Sequence, residues 1–355
     1  MSIYVNQYLN FIDNVIKDDV YQSFKNKKFL ITGATGMIGS FMVDVLIRLN
    51  EKKDYNNEIY ALGRSQNRAK HRFSKYFKNE QFHFIEQDVI NQLNCEVDFD
   101  YIIHAASNAN PKLYAQEPVE TLFGNFIGMS NILNYSRKCS GARVLFVSSG
   151  EMYGLAESDN IDGFSEEYVG YVDYSNARSC YPSGKRASEV LCQSYIDEYE
   201  VDAIIVRPCH VYGPTMLESD SRAISSFIRN AVHSEDITLK STGKQIRSNC
   251  MVADAVTGIF YVLLNGRTGE AYNISADEST STIYDMAKLI CSLSKQSLHF
   301  DLPSREEKQG FSKVPVAILK NEKIKSLGWT SKWSLKEGLA ETILILKIKE
   351  DLTNE

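Results

Sequence analysis

Tyr181 stands four residues before Lys185 in CYPSGKRASE (180–189). On a helix, residues so spaced share a face, about 5–6 Å apart at Cβ. An ammonium one turn from a phenol favours the phenolate and lowers the tyrosine from its reference of about 10. Such a pair is a general base usable near neutral pH, worth about 10²–10⁴-fold in rate. Pro182 fits the first helical turn, where no amide donor is needed. Gly184 costs helix stability, so propensity alone has not shaped the segment. Tyr-x-x-x-Lys by itself occurs by chance in many chains. It gains weight from SSGEMYG (148–154), which brings the hydroxyls of Ser148 and Ser149 and the carboxylate of Glu151 to the end of an apolar run.

TGATGMIGS (32–40) carries a second chemistry. Gly33, Gly36 and Gly39, with Thr35, Met37 and Ile38 between them, follow a predicted strand and open a predicted helix. A tight turn, a close backbone approach and a helix N-terminus together make a cradle for a pyrophosphate. The expected cofactor is NADP or NAD. A site built for NAD usually carries Asp or Glu after the second strand. This chain has Arg64-Ser65, with Arg68 close by, which suits a 2′-phosphate and leans the expectation to NADP. Arg64 stacking on an adenine or standing in solvent is the alternative. Asp88-Val89 is placed to touch an adenine ring, unless Asp88 only caps a helix.

The elements needed to hold these residues are legible as alternating strands and helices. Apolar strand candidates are KFLITG (28–33), EIYALG (58–63), FHFIE (82–86), YIIHAA (101–106), RVLFVSS (143–149) and DAIIVRP (202–208). Near-continuous apolar runs are the mark of parallel strands buried on both faces. Helical patterns separate them, as in MIGSFMVDVLIRLN and NFIGMSNILNYSRKC, which predicts an α/β fold with a Rossmann-type doubly wound parallel sheet. The alternation weakens after about residue 208, and helices follow at SSFIRNAVH, VADAVTGIFYVLLN, IYDMAKLICSLSK and SLKEGLAETILILK. The expected organisation is a helical extension at 1–27, a dinucleotide-binding domain at 28–207 with a return segment at about 248–272, and a smaller lobe from 208–247 and 273–355.

The net charge of −6 and the absence of a basic block argue against a nucleic-acid partner. Seven scattered cysteines without a CxxC suit a reducing compartment. No apolar run approaches a membrane span, and the first residues read as an amphipathic helix rather than a signal peptide. A cytoplasmic protein is expected.

With these motifs assembled, residues 28 to about 340 resemble the extended short-chain dehydrogenase/reductases, the nucleotide-sugar epimerase, dehydratase and decarboxylase group. The resemblance rests on TGATGMIGS, HAAS (104–107), Asn125, SSGEMYG, YPSGK, RPCHVYGP (207–214) and GKQIRSNCMVADAV (243–256). It implies that Tyr181 takes a sugar hydroxyl proton while hydride passes to the nicotinamide. Lys185 would hold the ribose and tune Tyr181, and Ser149 would bridge sugar and tyrosine. Ala105, Ala106, Ser107, Asn125, Ser148 and Pro208 fall on the cofactor side. Ser107, Ser149, Gly150, Glu151, His210, Arg222 and Arg247 fall on the side of a nucleotide-diphosphate sugar, with the arginines on the diphosphate. No metal is implied, and a homodimer follows by analogy.

The departures are specific. His210 stands where the group usually has Asn. Gly150-Glu151 lacks the acid of the Asp-Glu pair that dehydratases carry, so a standard 4,6-dehydratase is not expected. Glu151 matches the glutamate of the UDP-glucuronate decarboxylases, whose usual pattern is Thr-Ser-Glu, but their arginine in the C-terminal lobe has only Lys313 as a substitute. The expected activity is oxidation at sugar carbon 4 with epimerisation as outcome. Decarboxylation comes next, then net reduction of a keto sugar by NADPH, and last a non-catalytic NADP(H)-binding role.

Overall fold

The computed structural model describes residues 3–17, 19–156, 161–301 and 314–351. In chain order its first half holds α1 (Ile3–Val15), β1 (Lys28–Thr32), α2 (Met37–Lys53), β2 (Glu58–Gly63), α3 (Gln66–Phe73), β3 (Phe82–Glu86), β4 (Tyr101–His104), α4 (Pro111–Gln116), α5 (Pro118–Ser136) and β5 (Arg143–Val147). There follow α6 (Cys180–Tyr199), β6 (Ala203–Pro208), β7 (His210–Tyr212), α7 (Ala223–Val232), β8 (Ile237–Leu239), β9 (Ile246–Met251), α8 (Val252–Asn265) and β10 (Ala271–Ile274). The last are β11 (Thr280–Thr282), α9 (Ile283–Ser294), β12 (Leu298–Phe300), β13 (Val316–Ala317), α10 (Glu322–Lys325) and α11 (Leu335–Asp351).

The main sheet runs β10-β6-β5-β4-β1-β2-β3, and all its pairings are parallel. All six strand candidates fall in it. The apolar runs are strands because both faces are covered: Phe29, Leu30, Ile31, Ile102, Ile103, Val144, Leu145 and Phe146 are all inaccessible to solvent. β1 lies between β2 and β4, so the chain winds outward from it in both directions. The crevice beyond the carboxyl ends of β1 and β4 is the switch point where such sheets bind ligands.

A second sheet, β11-β9-β13 with β7 also on β9, was not legible in the sequence. Its central strand, IRSNCM, buries Ser248 and Asn249. Asn249 Nδ2 donates to the Ser279 carbonyl (3.0 Å), and Ser248 Oγ lies 3.2 Å from Thr280 Oγ1. Satisfied in this way, polar residues cost little in a buried strand, and they hide it from a reading by hydrophobicity.

Gly184 now has a cause. A Cβ there would lie 3.2 Å from Asn125 Cβ, so glycine admits α5 close against the start of α6. The N-terminal helix α1 is fastened at both ends of the chain. Tyr8 donates its hydroxyl to buried Asp44 on α2, which also holds Arg72 and Tyr76 (2.9 Å). Phe11 packs between Phe41 (5.5 Å) and Trp333 (5.7 Å), and Gln7 Nε2 donates to Glu341 on α11 (2.9 Å).

Candidate active site

One cavity of about 2400 Å³ runs over the carboxyl ends of the main sheet, and every site residue singled out in the sequence lines it except Asn125. Its first end is made of backbone. Gly33 has φ +65°, and a Cβ there would sit 2.7 Å from the Ala105 carbonyl oxygen and from Ala106 Cα. A Cβ on Gly39 would come within 2.5 Å of the Gly33 carbonyl oxygen. Gly36 caps α2 with no side-chain hydrogen bond, and the first amide to bond back is Ser40 N to Gly36 O (2.9 Å). The amides of Met37, Ile38 and Gly39 therefore have no acceptor within the helix, and they open beside Thr35 at the positive end of its dipole. A pyrophosphate fits this cradle, and with it a nicotinamide dinucleotide.

Arg64 and Asp88 stand near the mouth. Arg64 Nη1 lies 3.8 Å from Asp88 Oδ2 and its Nη2 donates to Asn108 Oδ1 at 3.4 Å. Asp88 also accepts from the Ile90 amide (3.2 Å), a local turn cap, while Val89 packs on Gly128. Deeper in, Ser107 Oγ donates to Asn125 Oδ1 (3.0 Å), and Asn125 Nδ2 donates to the Thr121 carbonyl (2.7 Å). Pro208 lines the wall below. The Ser148 hydroxyl is turned away from the cavity and donates to buried Glu189 (2.5 Å). Glu189 in turn is forked by Arg207, whose Nη1 donates to Tyr153 (2.9 Å). This buried network fixes the strand end from which Ser149 and Glu151 project.

Tyr181 is buried at the reactive end, with the Ser149 and Tyr114 hydroxyls acting on its phenol. The tuning expected of Lys185 is not what this geometry gives. Its Nζ donates to the Val147 carbonyl (2.8 Å), lies 4.8 Å over the Phe146 ring, and is 5.7 Å from the Tyr181 ring centroid. The end of β5 is nearer than the phenol, and its carbonyl takes the ammonium. Burial lowers Lys185 to about 7. Burial and then the Glu151 charge raise Tyr181 to about 12, against the lowering pull of Ser149, Tyr114 and Arg222.

Glu151 is half-buried on the cavity wall, and its removal from solvent raises its carboxyl while Arg178, Arg222 and Arg247 draw it back down. Gly150 beside it is backed by Leu319, which a Cβ would meet at 2.9 Å. His210 is held neutral, lowered to about 3 by burial and by Arg247 and Arg222, and its buried Nδ1 has no partner among the described residues. Arg222 forks Asp220 through Nε (3.0 Å) and Nη2 (2.6 Å). Arg247 donates to the carbonyls of Ile246 (2.8 Å), Pro315 (3.3 Å) and Val314 (2.8 Å). Lys313 lies outside the described residues.

Residues 29–275 match the family model described as the NAD dependent epimerase/dehydratase family. The chain belongs to the NAD-dependent epimerase/dehydratase family. The family's enzymes use a nicotinamide dinucleotide on nucleotide sugars. Relatives include UDP-glucuronic acid decarboxylase 6 of Arabidopsis thaliana, 33% identical over 88% of this chain and 87% of that protein. UDP-glucuronic acid decarboxylase 1 of Xenopus tropicalis is 32% identical over 89% of this chain and 71% of that one. Among solved structures, an epimerase from Methanothermobacter thermautotrophicus superimposes with a TM-score of 0.80 at 20% identity, covering 95% of this chain and 96% of its own. The UDP-glucose 4-epimerase of Thermotoga maritima gives 0.76 at 22%, covering 92% and 99%.

Within this family member, two site residues had escaped the sequence reading. The buried Tyr114 ring stacks on Tyr181 at 4.5 Å and 12°, and the Arg178 guanidinium stands 5.8 Å from the Tyr114 ring centroid. Tyr114 gives no signal beyond its type. Arg178 gave one, its place three residues before Tyr181. Among the described residues no group of acidic, His and Cys side chains suits a metal ion, and no helix is long and apolar enough to cross a membrane.

Proposed function

We propose that this protein is a nucleotide-sugar decarboxylase acting on a UDP-glucuronate-type substrate. The observation that carries the reading is Glu151, a half-buried carboxyl on the cavity wall two residues past Ser149, within the field of three guanidiniums at the reactive end. The named activity of the relatives supports it over epimerisation, which the sequence alone had put first.

A nicotinamide dinucleotide held by the Gly33–Gly39 cradle would supply the hydride acceptor for carbon 4 and the hydride that is later returned. The chain supplies the proton chemistry. Tyr181 takes the carbon-4 hydroxyl proton, with Ser149 and Tyr114 donating to the developing phenolate. Its value of about 12 must fall for this, and a Lys185 ammonium moved off the Val147 carbonyl is the chain's own means to lower it. The ketone so formed is β to the carbon-5 carboxylate. The bond from carbon 5 to the carboxyl carbon breaks, its electron pair passes to the carbon-4 oxygen, and CO₂ leaves. Hydroxyls at Ser149 and Tyr181 stabilise that oxyanion. Glu151, held towards its neutral form by burial, then delivers a proton to carbon 5.

On the cofactor, the reading is NAD rather than the NADP favoured from sequence. Arg64 already shares its charge with Asp88 and Asn108, and a carboxylate beside it opposes a 2′-phosphate. On assembly, α5 exposes Val119, Leu122, Phe123 and Phe126 beside Val190 of α6, an apolar stripe suited to a second copy, so light scattering should report a homodimer.

The test is direct. Purified protein with UDP-glucuronate and NAD⁺ should release CO₂ and yield a nucleotide pentose without net NADH. A product of unchanged mass would mean epimerisation, and a requirement for one NADPH per turnover would mean reduction. Either result overturns the decarboxylase reading.

A further inference from the structure

The helix α4 has only six residues, too few to hold a helix in water unaided. It nevertheless carries Tyr114, whose ring lies 4.5 Å from that of Tyr181. Whatever fastens α4 therefore sets the phenol pair. On one side the Cys180 thiol donates to the Tyr114 carbonyl (3.7 Å). At its start stands Asn110, the N-cap, whose Oδ1 accepts from the Lys112 amide (3.0 Å). The same side chain also reaches out of the helix. Its Nδ2 donates to the Ser219 carbonyl (2.8 Å), and its Oδ1 accepts from the Ser221 hydroxyl (2.6 Å).

Ser219 and Ser221 lie in the loop between β7 and α7, whose residues 214–220 line the cavity. That loop is anchored to the dinucleotide cradle, because Thr215 Oγ1 donates to the Met37 carbonyl in the first turn of α2 (2.9 Å). Asp220 ties its end down by holding Arg222 Nη2 (2.6 Å) and Ser225 Oγ (2.7 Å). Asn110 joins this anchored loop to α4 across 109 positions of sequence. The cradle, the loop, Asn110, Tyr114 and Tyr181 thus form one connected series. At its end, Ser149, Tyr114 and Arg222 favour the charged form of the Tyr181 phenol, and the Glu151 charge opposes it. Lys185, on the same helix, stands 5.7 Å from the Tyr181 ring centroid, and Tyr114 itself faces Glu151, Arg222 and Arg178.

We propose that Asn110 is a positioning residue for the proton transfer: by clasping the β7–α7 loop it holds α4 so that the Tyr114 hydroxyl stays on the Tyr181 phenol. The inference rests on Tyr181 as the proton acceptor, and it is independent of whether the oxidised sugar is then decarboxylated. Asn110 acts through Tyr114, not on the sugar. The base is complete only while the clasp is closed.

The experiment follows UDP-glucuronate conversion by the NAD-loaded full chain across pH. Asn110→Ala removes both cap and clasp and should lower kcat on the order of 10-fold, with UDP affinity kept within about threefold. Asn110→Asp keeps the cap and the Ser221 bond but loses the donor to Ser219, so it should recover part of the rate. In both variants the rising limb of kcat should move to higher pH, because a phenolate that loses a donor holds its proton more tightly. Cys180 gives a reading free of activity: its alkylation by N-ethylmaleimide, mapped by mass spectrometry, should quicken as α4 loosens. Tyr114→Phe separates positioning from folding. In that background no hydroxyl is left to place, and Asn110→Ala should cost no more than about twofold further. The full loss there would overturn the inference. So would unchanged Cys180 alkylation or an unmoved pH profile in Asn110→Ala. Conversion without CO₂ release would remove the decarboxylase reading alone, and no conversion at all would remove both.

Discussion

The two ends of the cavity are built from different material. The dinucleotide cradle is backbone: glycines that admit no Cβ, and helix amides with no acceptor of their own. The sugar end is side chain: a stacked phenol pair, a half-buried carboxyl, and guanidiniums around it. Backbone sites tolerate change at most positions and fail abruptly at a few. Side-chain sites can be retuned residue by residue, and there a family can change substrate while keeping its cofactor.

Substitutions can break or sharpen that contrast. The largest effect belongs to Tyr181→Phe, which should lower turnover by about 10²–10⁴-fold and leave the nicotinamide nucleotide released on denaturation unchanged. Equal turnover would remove the tyrosine from the chemistry. Gly39→Ala forces a Cβ to 2.5 Å from a backbone oxygen. It should weaken dinucleotide binding on the order of 10–100-fold, read as loss of copurified nucleotide. Retention would mean that the cradle is not the phosphate site.

Glu151→Gln tests the sugar end through stability. A raised pKa means that the folded chain holds this proton more tightly than the unfolded chain does. From the ordinary value of 4.5 upward to the raised value, the folded state binds more protons and stability falls as pH rises. The stability that protonated Glu151 contributes is thus fully present below 4.5 and is lost as pH rises through its raised value. The glutamine variant should melt higher at pH 7, lose that advantage by pH 4, and turn over about 10²-fold more slowly. The smallest effect is expected of Asp88→Asn. Freeing Arg64 from its carboxylate should shift the ratio of NADP to NAD affinity upward by a few-fold.

The backbone-built end was also the legible one. KFLITG and YIIHAA read as buried parallel strands because continuous apolar runs have few other uses, and glycines at fixed steps after a strand have a steric meaning. The sugar end was harder to read. β9 hides behind Arg247, Ser248 and Asn249, whose polarity is satisfied only by tertiary partners. Tyr114 reaches Tyr181 from α4, across a gap in sequence that no spacing rule spans. Lys185 was correctly placed on the tyrosine's helix face. Its Nζ nevertheless follows the Val147 carbonyl, because helical periodicity fixes where a side chain starts and local acceptors decide where a long one ends.

The docking of α1 bears on how the molecule is made. Phe11 rests on Trp333, and Gln7 bonds Glu341, so a helix at the front of the chain is completed by contacts from its far end. During synthesis, α1 emerges before α2, the parallel strands and α11, and must wait for the last of them. Early on, α2 can cover one side of the α1 apolar face, but the side that meets Trp333 and α11 stays uncovered until the end of the chain has left the ribosome. Contacts of such sequence separation form late and slowly. Chaperone dependence and aggregation during expression should therefore track the arrival of the last helix, and an arrested nascent chain lacking α11 should leave α1 open to protease.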